Sequence, residues 1–136
     1  MALKPGACVL DACCGSGASA IPAAKAVGPS GRLLGIDLAE NLLRLARGKA
    51  SQLGLTQAEF RLKDIEELDP SAETFDAVIC VFGIFFVPDM PSGVRSLWRV
   101  LRPGGQLAIT TWGPRVLEPG SSAFWNAVRK ERPDLY

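Results

Sequence analysis

The sequence predicts a doubly wound α/β fold, in which a parallel sheet of strand order 3-2-1-4-5 carries helices on both faces. Short apolar runs alternate with amphipathic stretches along the chain. The runs are continuously apolar rather than alternating, which is typical of strands that helices cover on both sides. Right-handed crossovers between parallel strands then give the predicted order. The 136 residues contain no repeat or linker and are enough to bury about two-thirds of the unfolded surface, so we expect one domain over 1–136.

Strands and helices follow one another in strict alternation. Strands are predicted at 7–12, 32–37, 59–63, 75–81 and 106–112, and helices at 18–27, 39–53, 91–101 and 122–131. The second helix ends before Gly54, and its buried stripe is predicted to contain Leu42, Leu45, Ala46 and Leu53. The packed face of the third helix is predicted to contain Val94, Leu97, Trp98 and Leu101. The Pro103-Gly104-Gly105 segment ends that helix before the fifth strand begins.

The first strand runs into a turn of small residues that lets the backbone approach a ligand. Gly15 and Gly17 place no Cβ in the way, and the helix that follows offers unpaired N–H groups to a carboxylate or phosphate. Asp37 ends the second strand, where a carboxylate can accept hydrogen bonds from two adjacent ribose hydroxyls. This pattern predicts a nucleoside-cofactor site. The turn also fits the fingerprint of an NAD-dependent oxidoreductase, so the glycines alone leave the cofactor open.

Asp11, at the end of the first strand, favours one cofactor over the other. A carboxylate at the mouth of the turn repels a pyrophosphate, by several kcal/mol where solvation is poor. The same carboxylate attracts a ligand that carries an ammonium and a sulfonium, as S-adenosylmethionine does. In this interpretation Asp11 faces the amine, the glycine turn the carboxylate and Asp37 the ribose. The alternative is that Asp11 only caps the following helix.

Five segments resemble, in order and spacing, the motifs of class I S-adenosylmethionine-dependent methyltransferases. The first resembles motif I and reads Val9-Leu10-Asp11-Ala12-Cys13-Cys14-Gly15-Ser16-Gly17. The others are Gly35-Ile36-Asp37-Leu38 with Asn41-Leu42-Leu43, residues 60–68, Phe75-Asp76-Ala77-Val78-Ile79, and Arg99-Val100-Leu101-Arg102-Pro103-Gly104-Gly105. Within that superfamily, residues 82–89 look most like the ubiquinone/menaquinone-biosynthesis type. The resemblance implies a Rossmann-like fold.

The resemblance implies S-adenosylmethionine as cofactor, with S-adenosylhomocysteine as product, and a small-molecule methyl acceptor. The cofactor-binding residues that it implies are Asp11, Ala12, Cys13, Gly15, Ser16, Gly17, Asp37, Leu38, Asn41, Lys63, Asp64, Ile65 and Val81. Asp64 would read the adenine amino group or, equally, cap the turn that follows it. Cys13 stands where members of the family usually have glycine, and its Cβ would crowd the methionine moiety. No catalytic residue is assigned.

Three aromatic residues follow the fourth strand, where an acceptor would enter. Phe82, Phe85 and Phe86 are predicted to contact the substrate, with filling of the core as an equal alternative. The chain contains no histidine, so the commonest general base is absent.

Composition excludes several other classes of function. The net charge of +1 and the lack of a basic stripe argue against nucleic-acid binding. Charges and prolines interrupt the apolar runs, so no membrane span is expected. The four cysteines form no C-x-x-C pair, and without histidine we expect no metal site. Reduced thiols of this kind favour a cytoplasmic protein.

Two further readings of the chain stay open beside the small-molecule methyltransferase that acts by in-line methyl transfer. One is a non-catalytic, methyltransferase-like binding or regulatory module, and the other is the NAD-dependent oxidoreductase. The usual final two strands of the family are expected to be absent, as are segments that precede the first strand. The fifth strand would then be an exposed edge, and a homodimer or a partner chain is expected to cover it.

Overall fold

The computed structural model describes residues 1–71, 74–113, 115 and 117–135. Its strands are β1 Cys8–Ala12, β2 Arg32–Asp37, β3 Ala58–Leu62, β4 Phe75–Val81 and β5 Leu101–Thr110. Its α-helices are α1 Ala20–Val27, α2 Glu40–Gln52, α3 Met90–Arg99 and α4 Gly120–Glu131. The predicted elements therefore all exist, and only the start of β5 lies far from its predicted position.

The five strands form one parallel sheet in the order β3-β2-β1-β4-β5, which confirms the predicted fold. In the central strand, Leu10 lies opposite Leu34 of β2 and Val78 of β4. The chain winds outward from β1 to β3 and then returns to place β4 on the other side of β1. Strand order reverses between β1 and β4, and in doubly wound sheets a ligand binds beyond the carboxyl ends of the strands at this point.

A separate hydrophobic core covers each face of the sheet. On one face Val9 and Leu33 pack with residues of α1 and α2. On the other face Leu10 and Leu34 pack with Leu97 of α3. Neighbouring residues of a strand point to opposite faces, so both must be apolar. This explains why the strands read as continuous apolar runs.

The predicted buried stripe on α2 was wrong except at Ala46. The buried residues of this helix are Leu43, Ala46 and Ala50, while Leu45 and Leu53 are 54% and 49% exposed. The reason is the close approach of α2 to the glycine turn, because a Cβ on Gly17 would lie 3.3 Å from the Cβ of Ala46. Only a small side chain allows that approach, which places Ala46 at the turn, and Leu43 rather than Leu45 then fills the core.

The packed face of α3 was wrong at Trp98, which is 63% exposed. The buried residues of this helix are Gly93 and Leu97, and Val100 directly after it is also buried. Trp98 follows Leu97 by one position, which is about 100° around a helix. Its side chain therefore leaves the face that contacts the sheet.

β5 begins at Leu101 rather than at residue 106, because Leu101 pairs with Phe75 before the Pro-Gly-Gly segment. The next paired residues are Ala77 and Gln106, so residues 102–105 bulge out of the ladder. Asp76 lies beside this bulge and accepts hydrogen bonds from Nη1 of Arg102 at 2.8 Å and from the backbone N–H of Cys8 at 2.7 Å. The carboxylate thus ties the bulge to the start of β1.

Helix α4 lies outside both cores. None of its residues is buried, and Phe124 is 60% exposed. Within the part of the chain that the structure describes, no helix combines the length and apolar character needed to cross a membrane.

Candidate functional site

A cavity of about 420 Å³ opens at the carboxyl edge of the sheet, close to the point where strand order reverses. Its walls come from the ends of the strands and from the segments after them. Among the predicted site residues, the lining contains Cys13, Gly15, Asp37, Leu38, Asp64, Ile65, Phe82 and Phe86. The sequence-predicted positions are thus brought together from four separate segments.

A larger cavity of about 670 Å³ lies at the opposite edge, where residues 1–7 and 102–106 form most of its lining. None of the predicted site residues belongs to that lining. Ligands of open α/β sheets bind beyond the carboxyl ends of the strands, not the amino ends. The smaller cavity is therefore the candidate site.

The turn between β1 and α1 forms one wall of the site. Gly15 and Gly17 have φ angles of 52° and 85°, a region that side chains with a Cβ rarely adopt. The N–H of Cys14 donates to the carbonyl oxygen of Ile36 at 3.0 Å, which fixes the turn to the end of β2. Ser16 is not part of the cavity lining, and its hydroxyl accepts a hydrogen bond from Nζ of Lys49 at 3.1 Å.

Asp37 joins the glycine turn to the site. One carboxylate oxygen accepts a hydrogen bond from the N–H of Gly15 at 2.8 Å, and the other accepts one from the N–H of Ala39 at 2.8 Å. These contacts with the backbone were not predicted from the sequence. Each carboxylate oxygen has a second lone pair, so the side chain also retains acceptor capacity toward the cavity.

Asp11 lies behind the wall of the cavity rather than on it. Its side chain is fully buried, and one oxygen accepts a hydrogen bond from the hydroxyl of Ser19 at 2.6 Å. Among the described residues, the other oxygen, Oδ1, has no hydrogen-bond partner. Burial raises the pKa of Asp11 to about 7, against the lowering effect of Ser19. The carboxylate is therefore poised to ionise in response to a nearby positive charge.

Capping of α1 by Asp11, the alternative reading, does not occur. Ser19 is the residue that precedes this helix, and it makes no side-chain capping bond. Asp11 contacts the hydroxyl of Ser19 and not a backbone N–H of the first turn. The orphan oxygen is thus left for a group that the polypeptide itself does not supply.

Asp64 lines the cavity and also caps the short turn after β3. Its Oδ1 accepts a hydrogen bond from the N–H of Glu66 at 2.9 Å, as the capping alternative predicted. Ile65, the next residue, is buried and also lines the cavity. The turn therefore presents one polar and one apolar side chain to the site, and a contact with adenine stays a prediction.

The aromatic residues after β4 lie at the mouth of the cavity rather than in the core. Phe86 is 78% exposed, and its ring lies 4.7 Å from that of Phe85. Phe82, with a φ of 53°, places its ring 4.5 Å from Trp112. The exposure of these rings argues against the core-filling alternative and leaves apolar surface for an acceptor.

Cys13 adopts a left-handed backbone conformation, with a φ of 56°. This conformation explains why glycine suits the position, since it carries no Cβ. The neighbouring thiol of Cys80 lowers the pKa of Cys13, against the opposing effects of burial and of nearby carboxylates. The pKa of Cys80 is raised correspondingly, by the same contact and by burial.

The remaining predicted residues do not line the cavity. They are Asp11, Ala12, Ser16, Gly17, Asn41, Lys63, Val81 and Phe85. Sequence reasoning missed four lining residues, which are Leu42, Gly83, Val87 and Pro88. Leu42 was assigned to the core, and the pattern of Leu43, Ala46 and Ala50 is the signal that would have placed it outside. Across the described ranges, no group of three or more Cys, Asp or Glu side chains is arranged to hold a metal ion.

Residues 9–105 match the family described as "Methyltransferase domain". The demethylmenaquinone methyltransferase of Listeria monocytogenes serotype 4a is 38% identical over 128 residues, which cover 93% of this chain and 53% of that protein. The chain spans about half the length of the curated relatives it matches.

Solved structures of the same kind share the fold. A SAM dependent methyltransferase from Aquifex aeolicus has a TM-score of 0.71 and 26% identity, over 95% of this chain and 72% of that one. PKMT2 from Rickettsia typhi, solved in complex with AdoHcy, has a TM-score of 0.67 and 28% identity, and the match covers 76% of this chain and 21% of the PKMT2 chain.

Proposed function

The chain belongs to the methyltransferase domain family, and from this premise we propose that it binds S-adenosylmethionine and transfers the methyl group to a small-molecule acceptor. One observation carries the proposal. The glycine turn and Asp37 meet at a single cavity, joined by the 2.8 Å hydrogen bond from Gly15. A turn and an acidic strand end in this arrangement bind the two ends of a nucleoside ligand.

The residues present fit this cofactor. Asp37 would hold the ribose hydroxyls, and Leu38, Asp64 and Ile65 would surround the adenine. The orphan Oδ1 of Asp11 is the feature most specific to a cation, because a buried carboxylate with no partner gains most from a nearby ammonium. Its burial behind Cys13 and Gly15 makes this a longer-range effect than direct contact with the cavity.

The chemistry that the bound cofactor supplies is an electrophilic methyl group on a sulfonium. The polypeptide has to hold the acceptor in line with that group and exclude water. Phe82 and Phe86 offer apolar surface for alignment, and the segment from Gly83 to Pro88 forms the adjoining wall. No side chain is assigned as general base, and an acceptor that ionises readily needs none.

We propose an aromatic, lipophilic acceptor of the quinone type. The relatives named demethylmenaquinone methyltransferase support this choice. The exposed rings at the mouth of the cavity support it as well, since a flat aromatic ring stacks favourably on Phe and Trp side chains. Absence of nucleic-acid binding and a cytoplasmic location stay predictions.

The proposed cofactor is tested by titration calorimetry of the purified chain with S-adenosylmethionine, S-adenosylhomocysteine and NAD in parallel. We expect micromolar binding of the two sulfur nucleosides and no heat from NAD, because the Asp11 carboxylate near the turn disfavours a pyrophosphate. Binding of NAD alone would instead establish the oxidoreductase reading.

A turnover assay distinguishes an active methyltransferase from a non-catalytic binding module. Transfer of a radiolabelled methyl group from the cofactor to a demethylated quinone establishes an enzyme. Cofactor binding without transfer to any quinone or phenol would favour the binding module.

We propose further that the outer edge of β5 pairs with another chain, for which a second copy is the simplest occupant. β5 is the last strand of the sheet, and Leu107 and Ile109 on it are only partly buried. Unpaired apolar edges associate readily. Multi-angle light scattering should show a mass that falls on dilution, and a concentration-independent monomer would contradict this proposal.

A further inference from the structure

Two cysteine thiols, one directly after β1 and one in β4, lie against the same glycine at the candidate cofactor cavity. β1 and β4 pair in register as far as Asp11 opposite Ile79, so that Cys80 comes one residue and Cys13 two residues after this pair. Both sulfur atoms lie against Gly83, at 3.1 Å for Cys13 and 3.3 Å for Cys80 from the position that a Cβ there would occupy. A side chain at position 83 would crowd both sulfur atoms, so glycine is what leaves room for the two thiols side by side.

The neighbouring cysteines are arranged differently. Cys14 packs in the core on the side of α1 and α2, while Cys13 and Cys80 belong to the core on the opposite face. Cys14 is buried, and its thiol lies 3.8 Å from the carbonyl oxygen of Gly15. Cys8 lies at the far end of β1. Cys80 is thus the partner that the fold offers to Cys13.

Cys13 is the member of the pair that a reagent can reach. It is half-buried and lines the cavity, whereas Cys80 is fully buried. The neighbouring thiol of Cys80 lowers the pKa of Cys13 and so favours its thiolate, which is the nucleophilic form. An accessible, half-buried thiolate with a buried thiol beside it has the arrangement of an attacking and a resolving cysteine.

We propose that Cys13 and Cys80 form a reversible disulfide that closes the cofactor cavity to S-adenosylmethionine. The oxidant is a small-molecule disulfide. The Cys13 thiolate attacks one of its sulfur atoms, forms a mixed disulfide and expels the first small thiolate. Cys80 then gives up its proton, attacks the Cys13 sulfur and expels the second thiolate. The protein loses two electrons and two protons, and the oxidant is reduced to two thiols.

The crosslink acts on the cavity through its walls. Gly83 and Cys13 both line the cavity and are in close contact, so drawing the Cys13 sulfur toward Cys80 displaces the turn or the segment after β4. The turn also carries Gly15, which Asp37 anchors. The inference rests on the proposed function only in naming the ligand that is excluded. Because coupling is reciprocal, bound ligand should in turn protect the thiols.

The test oxidises the purified chain with glutathione disulfide and maps the linked peptides by mass spectrometry. S-adenosylhomocysteine is then titrated into the reduced, oxidised and re-reduced protein. We expect a Cys13–Cys80 linkage, an affinity at least tenfold lower after oxidation, full recovery with dithiothreitol, and slower crosslinking in the presence of the nucleoside. A linkage to Cys14 or Cys8, no linkage at all, or unchanged affinity after crosslinking would each overturn the proposal.

Two variants make the result specific. Cys80→Ser should stop at the glutathione adduct on Cys13, because a hydroxyl does not resolve it. Cys8→Ser should crosslink like the natural chain. If the reduced chain fails to bind S-adenosylhomocysteine, the proposed function fails, while the peptide map still decides whether the two thiols form the disulfide.

Discussion

Replacing Asp37 with alanine should reduce the affinity for S-adenosylhomocysteine by at least about a hundredfold. The substitution removes both acceptors that would hold the ribose hydroxyls, and hydrogen bonds to a charged group contribute about 1.5–3 kcal/mol each. It also releases the N–H groups of Gly15 and Ala39, which the carboxylate holds at 2.8 Å. The glycine turn then loses one of its two anchors to the end of β2 and keeps the hydrogen bond from Cys14 to Ile36. Titration calorimetry measures the loss directly.

A matched control separates the loss of binding from a general loss of stability. Asp76 also accepts one backbone N–H, from Cys8, and lies at the opposite edge of the sheet. Asp76→Ala should lower the free energy of unfolding by about 1–2 kcal/mol and leave the affinity for the nucleoside unchanged. A folded Asp37→Ala variant that binds as tightly as the natural chain would contradict the ribose assignment.

The sequence predicts best where a residue acts through its own strand or turn. The position of Asp37 at the end of β2, beside the glycine turn, was predictable because both are local patterns and parallel strands bring their carboxyl ends to one edge. Its hydrogen bonds to Gly15 and Ala39 were not predicted, since they depend on how closely the turn after β1 approaches β2. The same closeness explains why the small Ala46 faces the turn, whereas the choice of Leu43 rather than Leu45 as the buried leucine of α2 was not predicted.

Contacts between residues of different strands could not be predicted from the sequence. Cys13 was expected to crowd the cofactor, and nothing in the chain pattern connects it with Cys80, which lies in a different strand. The left-handed backbone conformation of Cys13 could not be predicted either, because cysteine, unlike glycine, does not indicate a positive φ. The early start of β5 was missed because Pro-Gly-Gly reads as a terminator, whereas here it forms a bulge inside the strand.

Replacing Asp11 with asparagine should stabilise the unliganded protein at pH 8 and weaken binding of the cofactor. Burial raises the pKa of Asp11 to about 7, so the folded chain holds a proton that the unfolded chain releases near pH 4. The stability that this proton provides is complete below about pH 4 and is lost as the pH rises through about 7. The total is on the order of 4 kcal/mol, of which about 2–3 kcal/mol falls between pH 5 and 8.

Urea unfolding at pH 5 and pH 8 measures this effect cleanly, because the chain contains no histidine to titrate in the same range. The natural chain should lose stability across the interval, and the Asp11→Asn variant should not. At pH 8 the variant should be more stable by about 1–3 kcal/mol, since the unpartnered amide offsets part of the gain. Equal slopes in the two proteins would show that Asp11 is not the titrating group.

Ser19→Ala provides the opposite perturbation. The Ser19 hydroxyl bonds to the Asp11 carboxylate at 2.6 Å and lowers its pKa. Without this hydroxyl, the pH interval over which stability is lost should move upward. A midpoint that stays in place would mean that the hydrogen bond does not stabilise the charged form.

The affinity for the cofactor should rise with pH, whereas the stability of the unliganded protein falls. This contrast is the evidence that would link Asp11 to function. If the positive amine of the cofactor is attracted by the Asp11 carboxylate, affinity rises with pH until the carboxyl group is fully ionised, a little above pH 7. In the Asp11→Asn variant that rise should disappear, and affinity at pH 8 should fall at least about tenfold, since one buried charge interaction exceeds about 1.4 kcal/mol. A buried carboxylate with an unpartnered oxygen destabilises the unliganded protein. A bound cation would compensate for this loss of solvation, which gives Asp11 a role in binding. A variant that is more stable and binds the nucleoside equally well would contradict this role, because the stability lost at Asp11 would then not be linked to ligand binding.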